Sequence, residues 1–258
     1  MKFACVHLIC LAALGLHFAP AAFAQLNVMT SGGFAAPYEK LLPVFEKRSG
    51  IKVTTTRGAS QGDGPTTIPA QLRRGVAADV VIMSKEGLKP LVAEGRIVAG
   101  SVVDLAQARL GVAVREGAPK PDISSPKALK QALLAAKTIA FVDPPQGSDG
   151  TTTKTALEKL GVYDAITPKA KLFPNSGNVG NTIAKGDADI CIYWLNEMTN
   201  PGVDVVGRLP KQILSPLKVM AFVSTHAKDP KAAKALLSYL SSPEVEAMYK
   251  EDGLLPAH

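Results

Sequence analysis

Four turns hold most of the residues whose types could do chemistry. They are Thr30-Ser31-Gly32-Gly33, Arg57-Gly58-Ala59-Ser60-Gln61-Gly62-Asp63-Gly64, Gln146-Gly147-Ser148-Asp149-Gly150-Thr151-Thr152-Thr153 and Asn175-Ser176-Gly177-Asn178. Glycine lets a backbone approach a ligand closely, hydroxyls donate hydrogen bonds, and the free N–H groups at a helix start favour negative charge. Any one such turn has an ordinary reading as a chain reversal. Their recurrence after apolar, strand-length runs is what points to a small anion. Arg57 adds a planar guanidinium fork that matches a carboxylate, although a solvated rim charge is the simpler reading of a single arginine. None of the turns is a nucleotide signature: G-x-x-x-x-G-K-[ST] is absent, and no G-x-G-x-x-G follows the first strand.

Other chemistries find little support. Beyond the first 24 residues the only histidines are His226 and His258, so a Ser-His or Cys-His machine is not expected, and neither is enzymatic activity. No His or Cys cluster suggests a metal, no cofactor is implied, and Asp187 and Asp189 read as a helix end and a strand start. Cys191, inside Ile190-Cys191-Ile192, reads as a small core residue. The formal charge of +7 comes from basic residues scattered along the chain, which suits attraction of anions and not a nucleic-acid surface.

The elements that position these turns alternate. Strands are expected at Leu26–Met29, Lys52–Thr56, Val80–Met83, Leu110–Val114, Thr138–Val142, Ile190–Tyr193 and Val219–Val223. Helical spacing of Phe34, Tyr38, Leu41, Leu42 and Phe45 marks a helix that Pro43 should kink or divide. Further helices are expected near Lys127–Ala136 and Thr151–Leu160, and at Asp229-Pro230 and Ser242-Pro243, where a capping residue precedes proline. Unbroken hydrophobicity in Val80-Val81-Ile82-Met83 suits a strand covered on both faces. The class is therefore α/β with mainly parallel sheets. At the N-terminus, Lys2, an apolar run to Ala19 and Ala22-Phe23-Ala24 have the order of a secretory signal cleaved after Ala24, which predicts export to the periplasm.

The chain resembles the molybdate-type periplasmic solute-binding proteins of ABC importers. The resemblance rests on Leu26-Asn27-Val28 with its Ser-Gly turn, Phe45-Glu46-Lys47-Arg48-Ser49-Gly50-Ile51-Lys52-Val53, and Gly75-Val76-Ala77-Ala78-Asp79-Val80-Val81-Ile82. Val142-Asp143-Pro144, Leu160-Gly161-Val162-Tyr163-Asp164 and Gly186-Asp187-Ala188-Asp189-Ile190 extend it over nearly all of the chain after residue 24. It implies a two-lobed binding-protein fold with a two-strand hinge: residues 25–109 and 218–258 in one lobe, 110–217 in the other, and a small anion in the cleft between them. It also implies a monomer that delivers its ligand to an ABC permease, with presentation to a sensor protein as another outcome. The candidate ligand-binding residues are Thr30, Ser31, Gly32, Arg57, Ser60, Gln61, Ser148, Gly150, Thr151, Asn178 and Tyr193.

Three departures bear on the ligand. Gly33 stands where the family has a serine, Arg57 opens a loop that is otherwise a run of small hydroxyl residues, and Ser148-Asp149 replaces the family's Pro-Ala. They favour an organic di- or tricarboxylate over molybdate or tungstate, which stays as the alternative. Trp194, the only tryptophan, either covers the cleft or packs in the core.

Overall fold

The computed structural model describes residues 25–62, 64–146 and 148–257; the expected signal segment, Asp63, Gly147 and His258 lie outside the described residues. Two sheets form. The first has the order β11-β4-β10-β3-β1-β2 and the second β7-β6-β8-β5-β9. In the first sheet the strands are β1 (Gln25–Thr30), β2 (Lys52–Arg57), β3 (Val80–Ser84), β4 (Val103–Ala108), β10 (Leu217–Val223) and β11 (Leu255–Pro256). The second holds β5 (Leu110–Arg115), β6 (Ile139–Val142), β7 (Ala170–Phe173), β8 (Ile190–Trp194) and β9 (Val203–Arg208).

Both sheets are mixed. Parallel pairing, as expected, joins β1 to β2 and β3, and β6 to β7 and β8. The strands that flank the passages between sheets pair antiparallel: β10 with β3 and β4, and β5 with β8 and β9. Geometry requires this, because a chain that leaves one sheet and enters the other directly has no crossover helix to restore its direction. The passages are Arg109, between β4 and β5, and residues 209–216, between β9 and β10.

The helices are α1 (Ala35–Ser49), α2 (Ile68–Arg73), α3 (Leu88–Ala93), α4 (Pro126–Ala135), α5 (Ser148–Leu160), α6 (Tyr163–Ile166), α7 (Ser176–Lys185), α8 (Pro230–Leu240) and α9 (Pro243–Glu251). Proline occupies the first position of α8 and α9, and the preceding Asp229 and Ser242 accept from Ala232 N at 2.9 Å and Val245 N at 3.4 Å. Pro43 does not divide α1: packing of Tyr38, Leu41 and Phe45 holds one 15-residue helix together despite the missing N–H. Helix α5 begins three residues earlier than its apolar spacing indicates, because Ser148, Asp149 and Gly150 are buried polar and small residues that carry no hydrophobic signal.

Alternation within the strands sorts the core into layers. Val28, Val80 and Ile82 join one cluster, while Met29, Val81 and Met83 join another on the opposite face. In the second sheet Ile190, Ile192 and Trp194 face one way, and Cys191 and Tyr193 the other. Each buried aliphatic side chain contributes about 1.5–3 kcal/mol relative to exposure. Asp79 is 1% exposed, and its carboxylate accepts from the backbone N–H groups of Asn27 and Lys228, each at 2.6 Å, so the acid of the Ala77-Ala78-Asp79 motif binds chain segments and not ligand. Asp189 likewise accepts from the N–H groups of Lys137 and Thr138. No helix among the described residues is long and apolar enough to cross a membrane.

Candidate functional site

The carboxyl ends of β1, β2, β6, β7 and β8 open onto one cleft of about 530 Å³, within the ~300–1,000 Å³ usual for small-molecule sites. Strand ends and the segments that follow them supply Gly32, Ala35, Ala36, Glu39 and Arg57 from the first sheet's side, and Gln146, Ser148, Asp149, Ser176, Trp194 and Glu197 from the second's. Three helices begin at its walls: Ala35-Ala36 of α1, Ser148-Asp149 of α5 and Ser176-Gly177 of α7. A helix N-terminus at each of these walls makes the interior favourable for negative charge. The two walls touch where Asn196 Nδ2 donates to the Gly33 carbonyl at 3.4 Å.

The floor carries two carboxylic acids. Asp149 is 5% exposed; its carboxyl accepts from Ser176 Oγ at 2.7 Å and Thr153 Oγ1 at 3.4 Å. Burial, with the Glu197 charge added to it, pushes Asp149 up to about 8. Burial also pushes Glu197 up to about 7, against the opposing pull of a hydrogen bond from Ser176 and the charge of Arg57. Ser176 thus lies between the two acids, with one proton to donate to either. Burial therefore favours the protonated form of both acids relative to an ordinary carboxyl.

Above the floor, Trp194 is 1% exposed yet lines the cleft, and its Nε1 has no partner among the described residues. A side-chain carbon at Gly33 would lie 3.3 Å from that nitrogen. The glycine at the family's serine position thus accommodates the indole, and Trp194 faces the cleft while also packing in the core. Arg57 stands at the mouth, ion-paired with Glu39, both side chains more than half exposed. Gln71 fixes its loop by donating to the carbonyls of Arg57 and Thr66 at 2.9 and 2.8 Å.

Of the candidate residues, Gly32, Arg57 and Ser148 line the cleft. Most of the others have structural partners close by. Thr30 and Ser31 are buried, and Ser31 N donates to the Ile82 carbonyl at 3.0 Å. Ser60 Oγ accepts from Ser84 N, and Gln61 Nε2 donates to Ser84 Oγ. Gly150 sits where any side chain would stand 2.5 Å from the Val142 and Asp143 carbonyl oxygens. Thr151 Oγ1 donates to the Pro144 carbonyl, and Asn178 N caps onto Asn175 Oδ1. Tyr193 is fully buried among Ala113, Ala140 and Val142 with its hydroxyl unpartnered; burial and the neighbouring Cys191, Glu197 and Asp149 raise its phenol. Cys191 is buried with its thiol pushed up to about 12. Among the described residues no group of three or more His, Cys, Asp or Glu is gathered as for a metal.

Sequence reasoning passed over Glu197, Ser176 as a bridging hydroxyl, and Glu39. The available signal for Glu197 was an acid three residues beyond the buried Tyr193-Trp194 strand end, where α/β sheets place ligands.

Residues 26–255 match the family model of bacterial extracellular solute-binding proteins. The chain belongs to that family. Among relatives of this solute-binding protein, an aconitate isomerase from a Pseudomonas species is 35% identical over 232 residues, covering 90% of this chain and 87% of the relative. The molybdate-binding protein of Azotobacter vinelandii is 25% identical over 257 residues, 98% of each chain. The solved structure of the Azotobacter vinelandii periplasmic molybdate-binding protein superposes on 89% of this solute-binding protein and 98% of its own chain, with a TM-score of 0.71 at 22% identity. That likeness places the α/β sheets in the two-lobed binding-protein fold.

Proposed function

We propose that this exported solute-binding protein captures a small tricarboxylic acid of the aconitate kind in its cleft and isomerises it by moving one proton. The observation that carries the reading is the pair of acids, buried Asp149 and part-buried Glu197, on either side of Ser176 at the cleft floor. A metal oxyanion has no carbon-bound proton for a base to remove. A propene tricarboxylate does have such a proton, on the methylene between a carboxylate and the double bond. The similarity to an aconitate isomerase, at 35% identity, supports the same ligand class.

Glu197, as its carboxylate, takes a methylene proton. The released electron pair spreads over three carbons and into the neighbouring carboxylate, where Arg57 and the helix N–H groups stabilise the charge. Protonated Asp149 returns a proton to the former vinyl carbon, and the double bond moves by one position. Atoms and electrons balance without a co-reactant. Because the aconitate skeleton reads alike from either end, the product is again aconitate, its geometry set by how the carboxymethyl arm was held. Proton transfer through Ser176 then restores the two acids.

A second reading is capture alone, with the closed form handed to an ABC permease. The family membership and the 25% identity to a molybdate-binding protein favour it, with molybdate or tungstate as the alternative cargo. Calorimetry with cis-aconitate, trans-aconitate and molybdate, followed by chromatography of the recovered acid, separates these readings. Isomerisation predicts tricarboxylate binding and a mixture of isomers from either one. Recovery of the input isomer unchanged supports capture alone, and tight binding of molybdate only restores the oxyanion reading.

A further inference from the structure

Where the chain passes between the sheets, away from the cleft, three cations stand together. Arg109 is the passage residue between β4 and β5, Arg208 ends β9, and Lys211 follows in the return passage; all three line one cavity of about 340 Å³. Among the described residues none of them is ion-paired with an acid. Arg109 Nε is buried and has no hydrogen-bond partner. Burial, and then the Arg208 charge, lower the proton affinity of the Arg109 guanidinium, the expected response of a cation that lacks a counter-charge. Native folds seldom leave a buried guanidinium N–H unpaired, because desolvation without a partner is costly. The other walls are Leu110, Leu209, Leu214, Pro216 and Leu255, with Ser215 as a further hydroxyl.

We propose that this hinge cavity is a second anion site that takes a small aliphatic carboxylate, its head between Arg109 and Arg208 and its hydrocarbon part against the leucines. Two guanidiniums with adjacent apolar walls match an amphipathic acid better than an inorganic ion, which would leave the leucine surface exposed to water. The site adjoins the machinery of the cleft. Leu195 N donates to the Arg109 carbonyl at 2.8 Å, and Leu195 opens the turn that carries Glu197. A side-chain carbon at Gly111 would lie 2.8 Å from Leu195 Cδ1, so the hinge strand and that turn are in tight contact.

The test is calorimetry of the full mature protein with butyrate and with inorganic phosphate, on the wild type, Arg208→Gln, Arg109→Gln and Arg57→Ala. Arg208 is exposed, so Arg208→Gln keeps the fold even if Arg109→Gln does not. Butyrate is expected to bind one to one, to weaken tenfold or more in Arg208→Gln, and to be unchanged in Arg57→Ala, with phosphate binding more weakly than butyrate. Absent butyrate binding, binding indifferent to Arg208→Gln, binding lost in Arg57→Ala, or phosphate tighter than butyrate would each overturn the proposal.

Discussion

Ser176 Oγ donates to Asp149 Oδ2 across 2.7 Å and so joins the first turn of α7 to the first turn of α5. Ser176 also neighbours Glu197, and with a single proton its hydroxyl donates to one acid at a time, so one serine links two acids whose pKa values burial raises. Asp149 also accepts from Thr153 Oγ1 and the Trp194 backbone N–H, and Glu197 feels the Arg57 charge, yet burial outweighs these partners and raises both acids at the floor of an open cleft.

Glu197→Gln keeps the shape and hydrogen-bonding capacity of the side chain and removes the base. Affinity for the tricarboxylate should stay within a few-fold of wild type while turnover falls by about 10²–10⁴. Calorimetry and a chromatographic isomer assay on one preparation separate the two effects. Equal losses in affinity and turnover would make Glu197 a binding residue only.

Asp149 rises from an ordinary 3.8 to about 8 in the fold. Between those values the unfolded chain releases a proton that the folded chain keeps, so this group's contribution is greatest below pH 4 and is lost as pH climbs toward 8. Asp149→Asn removes the titration. The ligand-free variant should therefore melt higher than wild type by a margin that grows from pH 5 to pH 8.5. A margin independent of pH would place the perturbation elsewhere.

Arg57 must leave Glu39 or share with it to hold a ligand carboxylate. An exposed pair is worth only about 0–1 kcal/mol, and a charge-assisted contact to the ligand about 1.5–3 kcal/mol, so the exchange is favourable. Arg57→Ala should weaken tricarboxylate binding by roughly one to two powers of ten, and Arg57→Lys should recover only part of that. Molybdate, if it binds, should be indifferent to both changes.

Gly150→Ala tests the packing of α5. The added methyl would meet the Val142 and Asp143 carbonyl oxygens at 2.5 Å, and backbone cannot yield as a side-chain tip does. A loss of about 1–3 kcal/mol is expected, seen as a fall in melting temperature without ligand.

Strand-helix alternation, the proline starts of α8 and α9 and the doubly covered β3 were legible because burial writes periodicity into apolar residues. β7 and β9 were not, since Lys171 and Leu172 are exposed and β9 is half-exposed along its length, leaving little hydrophobic signal. In the cleft, Gly32, Arg57 and Ser148 could be read from turn chemistry. Ser60, Gln61 and Gly150 have the same residue types, yet they serve loop and helix packing, a distinction that depends on which way a side chain turns. Asp149 was visible as a departure from the family's Pro-Ala, but its partner Glu197 lies 48 positions further along, and only the fold brings the two together.

The most direct test of the account is proton NMR of trans-aconitate in D₂O with the purified protein. The account predicts that deuterium enters the methylene and vinyl positions as the cis isomer forms, and that Glu197→Gln abolishes both changes while still binding the acid. Isomerisation without any loss of carbon-bound proton signal, or bound aconitate that neither exchanges nor isomerises, would contradict it.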